Sequence, residues 1–297
     1  MTDSLNMAPP PVQKLNDLVR IAQQKIAASG STSPRLDAEV LLRHVLKLDR
    51  VGLFMRLEDP ADPAIVDAFD ALVARRISGQ PVAYLTGRKE FAGLAFAVTP
   101  DVLIPRPETE LLVEWALAWV DTRNTASVID VGTGSGAIAV SIATLCRSDD
   151  ISITASDLSE AALEVARSNA DRLLTPFRRS MLSFVEGSLL TWYEQKADLV
   201  LANLPYLTDE QISSNPDLDA EPRAALEGGL DGLELVRRLI DDLPRVLDRG
   251  GALGLELNPS QIDPVIDMLR RTFLEPTIDV IADLAGHRRH VVMQVPF

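Results

Sequence analysis

The chain has 297 residues, 46% hydrophobic and 24% charged, which is long enough for two globular domains and too apolar for a disordered chain. Its 43 acidic against 29 basic side chains give a formal net charge of -14, which opposes broad, backbone-driven nucleic-acid binding but leaves room for a local basic patch. One cysteine, Cys146, and three histidines, His44, His287 and His290, exclude an intramolecular disulfide and leave too few ligands for a Cys- or His-built metal centre, so no metal is expected.

No apolar run approaches the roughly 18 residues of a membrane span. The start, MTDSLNMAPP, lacks the basic-then-apolar order of a secretory signal, so a cytoplasmic protein without a membrane partner is expected. Residues 1–11, polar and Pro-rich, are expected to fray. From Val12 to Ala28 the residues Leu15, Leu18, Val19, Ala22 and Ile26 recur at helical spacing, and Gly30 ends the run. Ser33-Pro34 reads as a cap followed by proline at the first helical position. Leu36, Val40, Leu41, His44 and Val45 then share one side, which makes His44 a packed or rim residue rather than a ligand. With a further helix from Asp62 to about Ser78, residues 1–80 form an all-helical domain. Phe91, Leu94, Phe96 and Val98, around Ala92-Gly93, predict a β-hairpin within a connector spanning 81–105.

From 106 to 297 helical and strand patterns alternate. Strands are expected at Ser127–Val131, Ile151–Ser156, Met181–Glu186, Asp198–Ala202, Gly251–Leu257, Thr277–Ile281 and Arg289–Val295. Helices are expected at Glu110–Val120, Ala137–Cys146, Glu160–Leu173, Gly232–Leu247 and Ser260–Thr272. Repeated strand–helix units give an α/β fold, a mostly parallel seven-stranded sheet covered on both faces. The last two strands have no helix between them and should form an antiparallel hairpin at one sheet edge.

Two motifs carry chemistry. In Asp130-Val131-Gly132-Thr133-Gly134-Ser135-Gly136 the glycines follow a strand and precede a helix, which allows a tight turn and close approach of a ligand to the backbone. Asp157, after the next strand, can accept hydrogen bonds from both ribose hydroxyls of an adenosine. Gly136 and Asp130 favour S-adenosylmethionine, with Asp130 acting through water or backbone near the methionine ammonium. Gly132, Gly134 and Ala137 also satisfy a looser dinucleotide pattern, so a nicotinamide dehydrogenase stays open on this loop alone. The second motif is Asn203-Leu204-Pro205-Tyr206, directly after the strand Asp198–Ala202. The Asn203 carboxamide oxygen and the Leu204 carbonyl can accept the two hydrogens of a planar nitrogen, Pro205 stiffens the turn, and Tyr206 offers a flat apolar face. Such a pocket orients an amide or amino nitrogen and supports positive charge as it develops there.

These motifs, together with Pro81-Val82-Ala83-Tyr84-Leu85-Thr86-Gly87, Phe91, Ile104-Pro105-Arg106-Pro107-Glu108-Thr109-Glu110, Glu221–Leu226, Gly228–Leu233 and Asp283–Arg289, resemble the class I S-adenosylmethionine-dependent methyltransferases. More narrowly, the chain is similar to the peptide chain release factor glutamine N5-methyltransferases, over nearly its whole length. The resemblance implies a Rossmann-like methyltransferase sheet, a helical N-terminal domain that holds the protein substrate, and methyl transfer from S-adenosylmethionine, leaving S-adenosylhomocysteine. The acceptor would be the glutamine of the Gly-Gly-Gln motif of release factors. It further implies that Thr109 lies near the methyl donor, that Asp130, Gly132, Thr133, Gly134, Ser135, Gly136, Asp157 and Leu189 hold the cofactor with Asn203, and that Asn203, Leu204, Pro205 and Tyr206 hold the glutamine.

Two departures stand out. The family usually has Asn-Pro-Pro-Tyr, and Leu204 replaces its first proline. Asn-Leu-Pro-Tyr is also typical of ribosomal RNA adenine dimethyltransferases, so an adenine N6-methyltransferase acting on ribosomal RNA is the alternative, with Arg75, Arg76, Arg88 and Lys89 as a phosphate route. The aromatic residue usual near the adenine is absent from Gly187-Ser188-Leu189-Leu190, leaving Leu189, or Trp192 slightly later, for that contact. A monomer without stable nucleic-acid binding is the expected state, and the acidic charge fits a basic protein partner.

Overall fold

Residues 13–296 are described by the computed structural model, and the segment 1–11 expected to fray lies outside the described residues. The chain divides into two units, one ending at Thr86 and the other starting at Gly87. The first contains helices α1 (Leu15–Ala28), α2 (Pro34–Leu46), α3 (Arg50–Met55), α4 (Pro63–Ile77) and α5 (Val82–Thr86). Its core joins Leu18, Val19, Ala22 and Ile26 of α1 to Ala38, Leu41 and Leu42 of α2 and to Phe69 and Val73 of α4.

The buried face of α2 differs from the expected stripe. Leu36 is 55% exposed and His44 also faces solvent, while Ala38, Leu41 and Leu42 turn inward. Buried Asp37 sets this rotation. It accepts hydrogen bonds from the Ser31 hydroxyl at 2.8 Å, the Ser33 hydroxyl at 3.0 Å and Arg76 Nε of α4 at 2.9 Å. Ser33 therefore spends its hydroxyl on Asp37 and does not cap the helix, although Pro34 does occupy the first turn.

The second unit opens with a hairpin of β1 (Arg88–Phe91) and β2 (Leu94–Ala97). Its turn residues Ala92 and Gly93 both have positive φ, 49° and 73°, as a tight two-residue hairpin turn requires. Phe91 and Phe96 meet edge to face at 5.9 Å and sink into the core of this unit. There follow α6 (Thr109–Val120), β3 (Ala126–Val131), α7 (Ala137–Leu145), β4 (Ile151–Asp157), α8 (Glu160–Leu173), α9 (Pro176–Ser180) and β5 (Leu182–Glu186). The chain ends with β6 (Ala197–Ala202), α10 (Asp209–Ser213), α11 (Glu234–Val246), β7 (Leu247–Glu256), α12 (Ile262–Thr272), β8 (Thr277–Ala282) and β9 (Arg288–Gln294).

The seven strands lie in the order β5-β4-β3-β6-β7-β9-β8, parallel except for β9, which is antiparallel to both of its neighbours. The final hairpin therefore folds back, putting β9 inside the sheet and β8 at the edge. Strand periodicity of two splits the core into two layers. Val128, Leu199 and Leu201 pack with α6 and α7 on one face, whereas Ile129, Val131, Val200 and Ala202 pack with α11 and α12 on the other. β7 begins at Leu247, four residues before the expected strand, because Leu247 pairs with Ala197 across an irregularity in register. The polar run Asp248-Arg249-Gly250 reads as a turn from sequence alone.

Asn169, fully buried on α8, ties this architecture to the glycine loop. It accepts from Ala97 N at 2.7 Å and donates to Ala97 O and to Ser135 O, each at 2.9 Å. Asn169→Ala strands those backbone groups in the core, and chemical denaturation should show a loss of roughly 3 kcal/mol, a few buried unsatisfied groups at about 1–3 kcal/mol each with partial relief by water. An unchanged denaturation midpoint would refute that account.

Candidate active site

Strand register assembles the site. Val131, at the end of β3, pairs with Ser156 of β4 on one side and Ala202 of β6 on the other. Gly132, Asp157 and Asn203 therefore leave the sheet at one level, at the carboxyl edge where strand order reverses. They line a cavity of about 410 Å³, within the range of small-molecule sites.

The glycine loop forms one wall. Gly132, Gly134 and Gly136 take φ of 71°, 54° and 80°, and an added Cβ on Gly132 would stand 3.2 Å from Leu204 Cδ2. Gly132 N and Thr133 N both donate to Ser156 O, which fixes the loop to β4. Asp157 Oδ2 accepts from Gly134 N at 2.9 Å and Oδ1 from Ser159 N at 3.0 Å, leaving each oxygen with a further lone pair at the cavity wall. Gly132, Thr133, Gly134, Ser135, Asp157, Leu189, Thr109, Asn203, Leu204 and Pro205 all line the cavity.

Asp130, Gly136 and Tyr206 are not part of that lining. Asp130 is wholly buried behind the loop, where Oδ2 accepts from the Thr133 hydroxyl at 2.6 Å and from Ala139 N at 3.1 Å. Its Oδ1 is buried without a hydrogen-bond partner. Gly136 packs against Ala166 of α8, where it lets α7 start. Tyr206 turns its hydroxyl to Glu256 Oε1, 3.5 Å away. Burial, reinforced by Glu256, holds the Tyr206 phenol well above the ordinary tyrosine range, so it stays protonated.

The turn from Asn203 to Tyr206 is held from several directions. Asn203 Nδ2 donates to the Thr109 hydroxyl at 3.1 Å, which commits the amino end of the carboxamide and leaves Oδ1 as its acceptor. Gln261 Nε2 donates to Tyr206 O at 2.9 Å. Gly232, at φ 71°, passes so close that an added Cβ would stand 2.2 Å from Tyr206 O. Leu207 N donates to Leu226 O, and Gly228 N donates to Leu207 O. Glu221, 7% exposed, bridges two loops at the cavity: its carboxylate accepts from Ile104 N at 3.0 Å and pairs with the Arg106 guanidinium. Arg106, Pro222, Ala224 and Ala225 line the cavity beside this bridge.

These holding residues escaped sequence reasoning to different degrees. Glu221 lies in a segment that carries the family resemblance, which implies no role for it. Asn258 and Gln261 form a reciprocal cap that Asn-x-x-Gln spacing could have shown. Glu256, a carboxylate between Leu255 and Leu257 in an apolar strand, was a visible anomaly. Asn169, in mid-helix, gave no signal.

Comparison with known proteins shows the family. The family model described as the PrmC N-terminal domain matches residues 17–87, and the one described as ribosomal protein L11 methyltransferase (PrmA) matches residues 106–208. A release factor glutamine methyltransferase of Bordetella pertussis is 43% identical over 262 residues, covering 86% of this chain and 93% of the relative. One of Moorella thermoacetica is 40% identical over 279 residues, covering 93% and 95%. The chain belongs to the release factor glutamine methyltransferase family. A solved methyltransferase from Pyrococcus furiosus, 19% identical with a TM-score of 0.50, covers 75% of this chain and 98% of its own length, and shows the fold alone.

As a family member, the chain implies an S-adenosylmethionine-type cofactor, and the cavity suits one. The donor set offers carboxylate oxygens at Asp157, left-handed glycines that admit a ligand against the backbone, and the apolar side of Leu189. Leu189 holds φ at 51° and lines the cavity. Trp192 stands behind it, its indole N–H donating to Leu189 O at 2.8 Å while its ring covers Gly187. Trp192 thus braces the loop while Leu189 faces the cavity. Among the described residues no helix is long and apolar enough to cross a membrane.

Asp130 has a measurable electrostatic signature. Burial raises its carboxyl from 3.8 to about 6, against the lowering hydrogen bonds of Thr133 and Ala139, with Asp157 nearby adding to the rise. The folded state holds this proton more tightly than the unfolded chain. Its contribution is therefore fullest below 3.8 and is lost as pH rises to about 6. The loss amounts to roughly 3 kcal/mol. Urea unfolding across this range should show Asp130→Asn shifting the pH slope of stability upward by about one proton relative to the native chain. Parallel slopes for the two proteins would contradict the assignment.

Proposed function

We propose that this chain transfers a methyl group from S-adenosylmethionine to the side-chain amide nitrogen of the glutamine in the Gly-Gly-Gln motif of peptide chain release factors. The observation that carries the reading is the Asn203–Thr109 hydrogen bond, which leaves Asn203 Oδ1 as acceptor at the wall of the cavity. When bound, the cofactor would supply an electrophilic methyl on a sulfonium sulfur, and the amide nitrogen that takes it would give up one of its two protons to solvent. Asp157 would hold the ribose hydroxyls, the loop from Gly132 to Ser135 the methionine part, and Leu189 the adenine face. Asp130 acts on this loop from behind, by holding Thr133 and the start of α7.

A glutamine amide nitrogen is a weak nucleophile because its lone pair is delocalised into the carbonyl. Asn203 Oδ1 and the Leu204 carbonyl accept its two N–H groups. This fixes the lone-pair direction and becomes more favourable as positive charge develops. Leu204 retains that carbonyl, so replacing the family's first proline leaves the acceptor in place. Its side chain instead packs on Gly132, joining the acceptor turn to the cofactor loop. Pro205 stiffens the turn, and the half-buried Tyr206, outside the cavity lining, supports it from behind rather than offering its ring to the amide as the sequence predicts. Pro105, Leu189, Leu204, Ala224 and Ala225 give the cavity an apolar wall.

Asn203→Ala should lower kcat roughly 100-fold, the scale for losing one transition-state hydrogen-bonding group, with cofactor Kd changed less than about threefold. Equal losses in rate and cofactor affinity would remove the assigned role. Substrate identity is tested by offering release factor, ribosomal protein and ribosomal RNA in parallel with labelled cofactor, then mapping the product by mass. One methyl on the Gly-Gly-Gln glutamine is expected. Label confined to RNA would overturn the reading in favour of an adenine methyltransferase.

A further inference from the structure

A buried polar chain lies behind the substrate-side turn. Glu256 ends β7 between the buried Leu255 and Leu257, a position where an apolar side chain would be expected. His290 of β9 stands opposite it in register. Glu256 is 3% exposed and His290 0%. Their Oε2 and Nε2 atoms are 3.5 Å apart, and neither these atoms nor His290 Nδ1 has a hydrogen-bond partner. Desolvating a carboxylate beside an imidazole costs several kcal/mol that a well-packed apolar pair would avoid. Departures of this kind from local packing rules concentrate where function uses them.

The other oxygen of Glu256 indicates the use. Oε1 faces the Tyr206 hydroxyl at 3.5 Å, while Gln261 holds the same residue by its main-chain carbonyl. The other charged groups close to Tyr206 include two arginines, both engaged elsewhere: Arg289 pairs with Asp283 at 3.1 Å and Arg106 with Glu221. We propose that Glu256, backed by His290, is a positioning residue that anchors the Tyr206 hydroxyl behind the cavity wall and so fixes the turn that carries the acceptors at Asn203 and Leu204. The inference rests on the glutamine-transfer reading. Both 3.5 Å separations are long for hydrogen bonds, as contacts around catalytic groups commonly are before substrate binds.

The test combines kinetics with ring dynamics. E256L should lower kcat/KM for release factor about tenfold, a typical scale for slight misplacement, with cofactor Kd within about twofold. E256Q, which still accepts from the phenol, should restore most of that rate. In a Y206F background E256L should cause less than about a twofold further loss, because the interaction it removes is already gone. A purely structural Glu256 would instead give equal losses in both backgrounds, and that result overturns the proposal. If E256L fails to fold, Y206F decides: a tenfold loss at unchanged cofactor affinity supports the anchor, and an unchanged rate overturns it. NMR of the chain with its 3 tyrosines isotopically labelled gives a readout independent of substrate. Tyr206 ring flips should be faster in E256L than in the native chain, and equal rates overturn the anchor. If the native chain methylates no release factor, the substrate reading fails, while the ring-flip comparison still decides the role of Glu256.

Discussion

Everything at the site depends on one backbone constraint, the double pairing of Val131 with Ser156 and Ala202. Parallel pairing to both neighbours fixes β3, β4 and β6 at a common height, so the residue after each paired position opens onto the same edge. A shift of one residue in either pairing would turn strand side chains to the opposite face and separate Gly132, Asp157 and Asn203. The two apolar layers prevent that slip, because Ile129 and Val131 must face α11 and α12 while Val128 faces α6 and α7.

Loops crossing this edge are held by polar groups that are not themselves part of the cavity lining. Glu221 joins the segment at Ile104–Arg106 to the segment that supplies Ala224 and Ala225. Gln261 and the close pass of Gly232 hold the turn at Tyr206 from beneath. Asn169 links the hairpin to the glycine loop through Ala97 and Ser135. Charge and hydrogen-bonding capacity are thus concentrated in a buried frame around an apolar cavity. Such a frame, where its members are satisfied, fixes the orientation of the groups at the cavity wall.

The fold was readable because its determinants are local. Period-two apolar strands, period-3.6 helices, and glycines and prolines between them identify the strand–helix alternation. The missed elements, α3, α5, α9 and α10, span five or six residues each, too few for periodicity to register. The buried face of α2 departs from its apolar pattern because Asp37, a charged residue, is buried against Ser31, Ser33 and Arg76, the last 39 positions later in the chain. The edge hairpin was legible as a hairpin, but the insertion of β9 between β7 and β8 depends on the long-range pairing of Gly254 with Val292.

By itself the sequence determined the local patterns at the candidate site, since a glycine loop after a strand, an acid after the next strand and Asn-Leu-Pro-Tyr after another have local geometric consequences. Only the tertiary structure decided which of these face the cavity. It puts Asp157, Leu189, Asn203, Leu204 and Pro205 on the wall and sets Asp130, Trp192 and Tyr206 behind it. It also decided which way the Asn203 carboxamide points, through Thr109, 94 positions earlier. Neither result is encoded in spacing, because each depends on hydrogen-bond partners that become neighbours only when the sheet is complete.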